Sequence, residues 1–198
     1  MADPSHTTPH NPLLTRHAEA LDLFTERLGA VRPDQWDALT PCAEWTVRDL
    51  VNHLTVEQLW VPSLVRDGSS IDARGDAFDG DQLGDDPATT WMRAAAAARA
   101  AFSEPNALER TVHLSYGDSP AADYCAEMIT DAVVHSWDLA RATDGDERLP
   151  GELVSFAARQ VAPHAADLSK TDYFAEPVEP PPGSDPQTKL LCLLGRRP

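Results

Sequence analysis

With 198 residues, 42% of them hydrophobic and 24% charged, the chain has an ordinary globular balance and enough length to bury a core as one domain. Its 32 acidic against 16 basic side chains give a net charge of −16, a field that repels phosphate backbones and anionic lipid, so neither nucleic acid nor a membrane is expected as a partner. There is no apolar run near the roughly 20 residues of a bilayer span and no basic-then-apolar leader, and Cys42, Cys125 and Cys192 are dispersed without a CxxC pair, which predicts a cytoplasmic protein with neither a disulfide framework nor a thiolate zinc site.

Residues 1–11 read as a disordered N-terminal arm holding His6 and His10, and residues 12–198 as a single domain. The first helix is predicted from Pro12 to Leu28, because Leu14, Ala18, Leu21, Phe24 and Leu28 recur on one helical face. Thr46 and Asp49 have the spacing of a capping box. The second helix runs from there toward Leu64, with an inward stripe of Val47, Leu50, His53/Leu54, Glu57, Val61 and Leu64, and Pro62 ends or kinks it. Residues 66–86 read as a solvated, mobile acidic loop. Asp76, Asp79 and Asp81 lack the twelfth-position Glu of a calcium loop.

A third helix starts at Asp86-Pro87 and ends by Pro105. The alternation of Val112, Leu114 and Tyr116 predicts a short extended segment across one end of the bundle. The fourth helix runs from Ser119-Pro120 through Ala142, with Tyr124, Met128, Asp131, His135 and Leu139 facing inward. A fifth spans Glu152 to Leu168, and His164 on it reads as a packing histidine. Five prolines between Glu176 and Pro186 dictate an extended strap, followed by a short apolar helical turn over Lys189 to Leu194. The fold class is all-α, a helical bundle with additional short helices and a Pro-rich C-terminal strap.

Polar residues on apolar stripes are the informative anomaly. Asp131 and His135, four apart, lie one above the other on a helix face. A buried unpaired carboxylate costs several kcal/mol, so a partner must compensate it. His53 faces inward from the second helix, and His, Asp and His from two helices make the three-ligand open arrangement of catalytic metal ions. A plain Asp–His ion pair accounts for the same two residues. Glu57, one turn beyond His53, reads either as a fourth ligand or general base, or as the partner of an arginine at the bundle mouth. His113, Tyr116 and Trp60 are placed to border the open end.

The stretch Thr40 to Leu54 (TPCAEWTVRDLVNHL) resembles the opening signature of the mycothiol-dependent maleylpyruvate isomerase N-terminal family, within the DinB-like superfamily. Thr130 to Thr143 (TDAVVHSWDLARAT) resembles its second signature, and Phe174 to Arg196 resembles the endings of its short, single-domain actinobacterial branch. The resemblance implies a DinB-like four-helix bundle in which His53, Asp131 and His135 hold one divalent ion, zinc or nickel. It further implies a metal-dependent transferase or isomerase, with mycothiol or a similar thiol as co-substrate and a small electrophile as substrate. Glu57 and His113 are the candidate catalytic side chains.

Two alternatives stand beside this reading: a thiol-independent hydrolase, lyase or cyclase of specialised metabolism, and a non-catalytic metal-binding module. Analogy with the superfamily suggests a homodimer. Asp131 stands where the isomerase has Glu, and the isomerase's second domain has no counterpart in this sequence, which points away from maleylpyruvate itself as substrate.

Overall fold

Helix α1 (Pro12–Gly29) opens on Asn11, whose side-chain oxygen accepts the Leu13 N–H at 2.9 Å, with Pro12 in the first turn where no donor is missed. Asn11, assigned to the arm on sequence, is therefore the helix cap. The computed structural model describes residues 11–163 and 175–198. The rest of the expected arm and the far part of the fifth helix, with His6, His10 and His164, lie outside the described residues.

Helix α2 (Val47–Val61) begins with the expected capping box: the Thr46 N–H donates to Asp49 Oδ2 at 2.9 Å, and the Asp49 N–H donates to Thr46 Oγ1 at 3.2 Å. Pro62 does not break the chain's course. It converts the helix into one π turn over Pro62–Arg66, a form that absorbs a residue without losing the ladder.

A short α3 (Ile71–Arg74) interrupts the acidic loop before α4 (Pro87–Phe102). Strands β1 (Thr111–Leu114) and β2 (Gly117–Pro120) form an antiparallel hairpin, then α5 (Ala121–Ala142), α6 (Gly151–Val161) and α7 (Pro186–Leu193) follow. Sequence reading anticipated β1 as extended but not its partner, whose residues it gave to a helix start.

Helices α1, α2, α4 and α5 close a four-helix bundle, α1 packing on α4 and α5 and α2 on the same pair; α6 docks on the outside of α5 and α7 on α6. The bundle interior holds Phe24, Leu54, Trp91, Phe102 and Ile129, all fully buried. Phe24 meets Trp91 edge-on at 4.6 Å, and the indole N–H of Trp91 donates to Thr25 Oγ1 at 2.8 Å, so the largest side chain there has its polar atom satisfied. Among the described residues no helix is long and apolar enough to cross a membrane.

The 66–86 loop is not a free solvated segment. Arg48 pairs with Asp81 at 2.5 Å, and Asn52 donates to the Gly80 carbonyl at 3.0 Å while accepting the Gln82 N–H at 2.8 Å. Leu83 is buried, and Phe78 packs edge-on against Trp60 at 4.8 Å. The loop is thereby stapled along the outer face of α2, next to the turns that carry the polar cluster.

Truncating Phe24 to Ala removes a ring from a closed core and should lower unfolding stability by about 3–5 kcal/mol. Trp91→Phe, which loses one hydrogen bond and leaves a smaller void, should cost less, about 1–3 kcal/mol. Urea unfolding measures both, and equal losses would mean that the aromatic pair does not anchor the bundle.

Candidate metal centre

The capping box fixes where α2 starts and so sets the register that turns His53 toward α5. On α5, Asp131, His135 and Asp138 follow at steps of four and three, one stripe of the helix. Asp131 sits between the two imidazoles: its Oδ2 is 3.3 Å from His53 Nε2 and its Oδ1 is 3.2 Å from His135 Nε2. All three donor atoms lie within 4.8 Å of one another. A tetrahedral ion with bonds of about 2.0–2.1 Å needs donor separations of about 3.3 Å, so the trio fits a divalent ion with little rearrangement. His53, Asp131 and His135, brought together from two helices, are the three residues singled out on sequence.

The other nitrogen of His135 is also committed. Nδ1 lies 2.9 Å from Asp138 Oδ2, a carboxylate buried completely. Arg196 in turn reaches Asp138 with two nitrogens, Nε to Oδ1 at 3.2 Å and Nη2 to Oδ2 at 2.8 Å. The Cys42 thiol donates to the same Oδ2 at 3.3 Å and stands 3.7 Å from His135 Nδ1. Cys42, His135 and Asp138 thus form a second cluster with ligand-like spacing, but Arg196 already places a cation in it, and that repels a metal ion. Cys42 is half-buried in polar surroundings, unlike Cys125 and Cys192, which fit the expected role of small buried hydrophobes.

These contacts set the charges. Burial alone would lower the His135 pKa, but the Asp131 carboxylate, with the bond to Asp138, outweighs it and holds the imidazole protonated well above its usual range. Burial would raise Asp131, and the charges of His135 and His53 override it, holding the carboxyl far below the usual range. Asp138, likewise desolvated, is held at about 2 by the His135 hydrogen bond and the Arg196 charge.

Trp45 closes one side. Its ring lies 4.9 Å from His53 and 6.0 Å from His135, stacked on the latter, and the Trp45 carbonyl accepts from the Thr40 N–H at 2.9 Å and hydroxyl at 3.0 Å. Beside the trio an open cleft of about 440 Å³ is lined by Ala43, Glu44, Trp45, Asp49, Asn52 and His53. The side chain of His53 is 24% exposed and that of His135 only 7%, so the cleft reaches the trio from the α2 side.

Glu57 is half-buried on α2 and carries a carboxyl pushed up to about 7, first by burial and then by the Asp131 carboxylate. His113 instead faces Asp118 across the hairpin at 2.6 Å and is 44% exposed. Tyr116, also exposed, donates to Glu127 at 2.5 Å. Asp138, Arg196 and Trp45 were not singled out on sequence. Asp138 was visible in principle at the seventh position from Asp131, one face of one helix.

The family model described as "Mycothiol maleylpyruvate isomerase N-terminal domain" matches residues 17–140. An uncharacterized Mycobacterium tuberculosis protein, found in strains CDC 1551 / Oshkosh and ATCC 25618 / H37Rv, is 31% identical over 190 residues, spanning 94% of this chain and 98% of the relative. Among solved structures, mycothiol-dependent maleylpyruvate isomerase superposes with a TM-score of 0.62 at 16% identity, covering 78% of this chain and 70% of that one. A histidine-to-alanine mutant of that enzyme gives 0.63 at 18% identity over the same shares. At these identities the structural likeness establishes the fold.

Because the folded pKa of Glu57 rises from 4.5 to about 7, the folded state holds that proton more tightly than the unfolded chain. Its stabilising contribution is complete below pH 4.5 and is lost as pH rises through about 7. In chelator-treated protein Glu57→Gln should therefore be neutral near pH 4 and stabilising by roughly 1–3 kcal/mol at pH 8, read from urea midpoints. An equal effect at both pH values would exclude burial of the charge as the cause.

Proposed function

The chain belongs to the mycothiol maleylpyruvate isomerase N-terminal domain family, and from that premise we propose that it is a metal-dependent transferase or isomerase that uses a low-molecular-weight thiol of the mycothiol type on a small electrophilic substrate. The observation that carries this reading is the trio itself. Two imidazole Nε2 atoms and one carboxylate converge at ion-binding separations beside an open cleft.

In this reading His53, Asp131 and His135 hold one zinc or nickel ion. When bound, such an ion supplies Lewis acidity that lowers the pKa of a thiol toward neutral pH. Asp138 accepts the Nδ1 proton of His135, so that Nε2, which faces Asp131, is the nitrogen that would give up its proton to an ion, the role of a carboxylate behind a ligating histidine. Trp45 covers both imidazoles with apolar surface and limits water around them. Glu57, protonatable near neutral pH on the same face of α2, is the residue suited to take the thiol proton and return it to the product. His113, tied to Asp118 on the exposed hairpin, is given no step.

Metal analysis of untagged protein should find about one zinc or nickel per chain, lost in His53→Ala and in Asp131→Ala. Thiol-dependent consumption of an activated aryl halide or an α,β-unsaturated carbonyl compound should follow the metal. Metal content unchanged by both substitutions would overturn the ligand assignment. Turnover independent of thiol would replace the transferase with the hydrolase, lyase or cyclase reading.

A further inference from the structure

The family match ends at residue 140, yet one side chain of the buried cluster comes from far beyond it. Arg196 is 7% exposed and grips Asp138, which is fully buried, through two separate nitrogen–oxygen contacts across 58 residues of sequence. That side-on grip fixes the plane of the carboxylate, which one point charge could not do. The same Oδ2 then meets His135 Nδ1 at 2.9 Å. A chain of three contacts therefore runs from the last turn of the described structure to the nitrogen opposite the candidate metal-binding face.

The backbone that delivers Arg196 is equally specified. Helix α7 ends in a Schellman motif: the Gly195 N–H donates to the Cys192 carbonyl at 3.0 Å, and the Arg196 N–H to the Leu191 carbonyl at 2.9 Å. Gly195 has φ +79, where a side chain is strained, and a Cβ there would stand 2.8 Å from the Ala175 carbonyl oxygen and 2.9 Å from its carbon. Only glycine lets the chain reverse this closely against the strap. Arg196 Nη1 also donates to the Leu194 carbonyl at 2.9 Å, which braces the guanidinium on its own turn.

We infer that Arg196 is a positioning residue for the His53–Asp131–His135 centre, acting through Asp138 to fix the orientation of His135 and with it the affinity for a divalent ion. This rests on the metal reading proposed above, so its test has one arm that needs no metal.

Zinc affinity is measured by competition with a chromogenic chelator for the wild type, Arg196→Gln, Arg196→Lys, Asp138→Asn and the double variant. Loss of a partner behind a ligating histidine costs about 10–100-fold in metal affinity. Arg196→Gln is expected to fall in that range with one ion per chain retained, and Arg196→Lys to recover part of the loss. The double variant should bind no more weakly than Asp138→Asn alone, because both act on one path.

The second arm records the side-chain nitrogen–proton correlations of His135 in metal-free protein. A slowly exchanging Nδ1–H, bonded to Asp138, is expected in the wild type and lost or broadened in Arg196→Gln. Gly195→Ala, which removes no side chain of the cluster but displaces the turn that carries Arg196, should reproduce both changes.

Wild-type affinity in Arg196→Gln, or additive losses in the double variant, would overturn the proposal. If the wild type binds no zinc, the metal reading fails by itself. The orientation claim then stands or falls on whether the Nδ1–H signal survives Arg196→Gln.

Discussion

The structure depends on one electrostatic constraint: two carboxylates on α5, Asp138 buried and Asp131 half-buried, that must each be compensated at the edge of a bundle core. Asp131 and Asp138 lie on one stripe of that helix, and placing either in an apolar interior alone would cost several kcal/mol. His135 stands between them and gives one ring nitrogen to each, at 3.2 and 2.9 Å. His53 then completes Asp131 from α2, and Arg196 completes Asp138 from beyond α7. Each added partner requires an element to be held in register, so the charge balance of one helix face dictates how α2, the Thr40–Trp45 turn and the last turn of the chain pack around it.

Such an arrangement is costly as a source of stability, since buried ion pairs seldom outperform well-packed hydrophobic groups of the same volume. Its value lies in specificity. Nδ1 and Nε2 of His135 are distinguished by their partners, and a ring with both nitrogens assigned has one orientation. The stapled loop over residues 66–86 and the π turn at Pro62 shape the outer surface of α2 without touching that inner balance.

Much of this was legible in the sequence, and the misses have physical reasons. The cap of α2, the bundle helices and the inward facing of His53, Asp131 and His135 follow from short-range spacing, which a single sequence displays, and the family resemblance implied that the three meet. Strand β2 is Gly-Asp-Ser-Pro, four residues with little strand preference, and only its pairing with β1 makes it a strand. Asp138 escaped because its neighbour Leu139 already satisfied the apolar stripe, so nothing in the spacing drew attention to the acid. Arg196 escaped because a contact across 58 residues leaves no periodic trace. The loop of residues 66–86 read as solvated because its acids look unpartnered until Arg48 and Asn52 on the neighbouring helix are seen to hold it.

The rim of the cleft bears on which molecules arrive there at all. Glu44 and Asp49 are two of its six lining residues, and they sit on a chain of net charge −16. Electrostatic steering concentrates cations at such a mouth and slows anions, an effect that salt weakens. A dicarboxylate must diffuse against this potential, whereas a neutral or cationic electrophile does not. Encounter rates at this mouth therefore favour uncharged or basic molecules before any contact inside the cleft has discriminated among them.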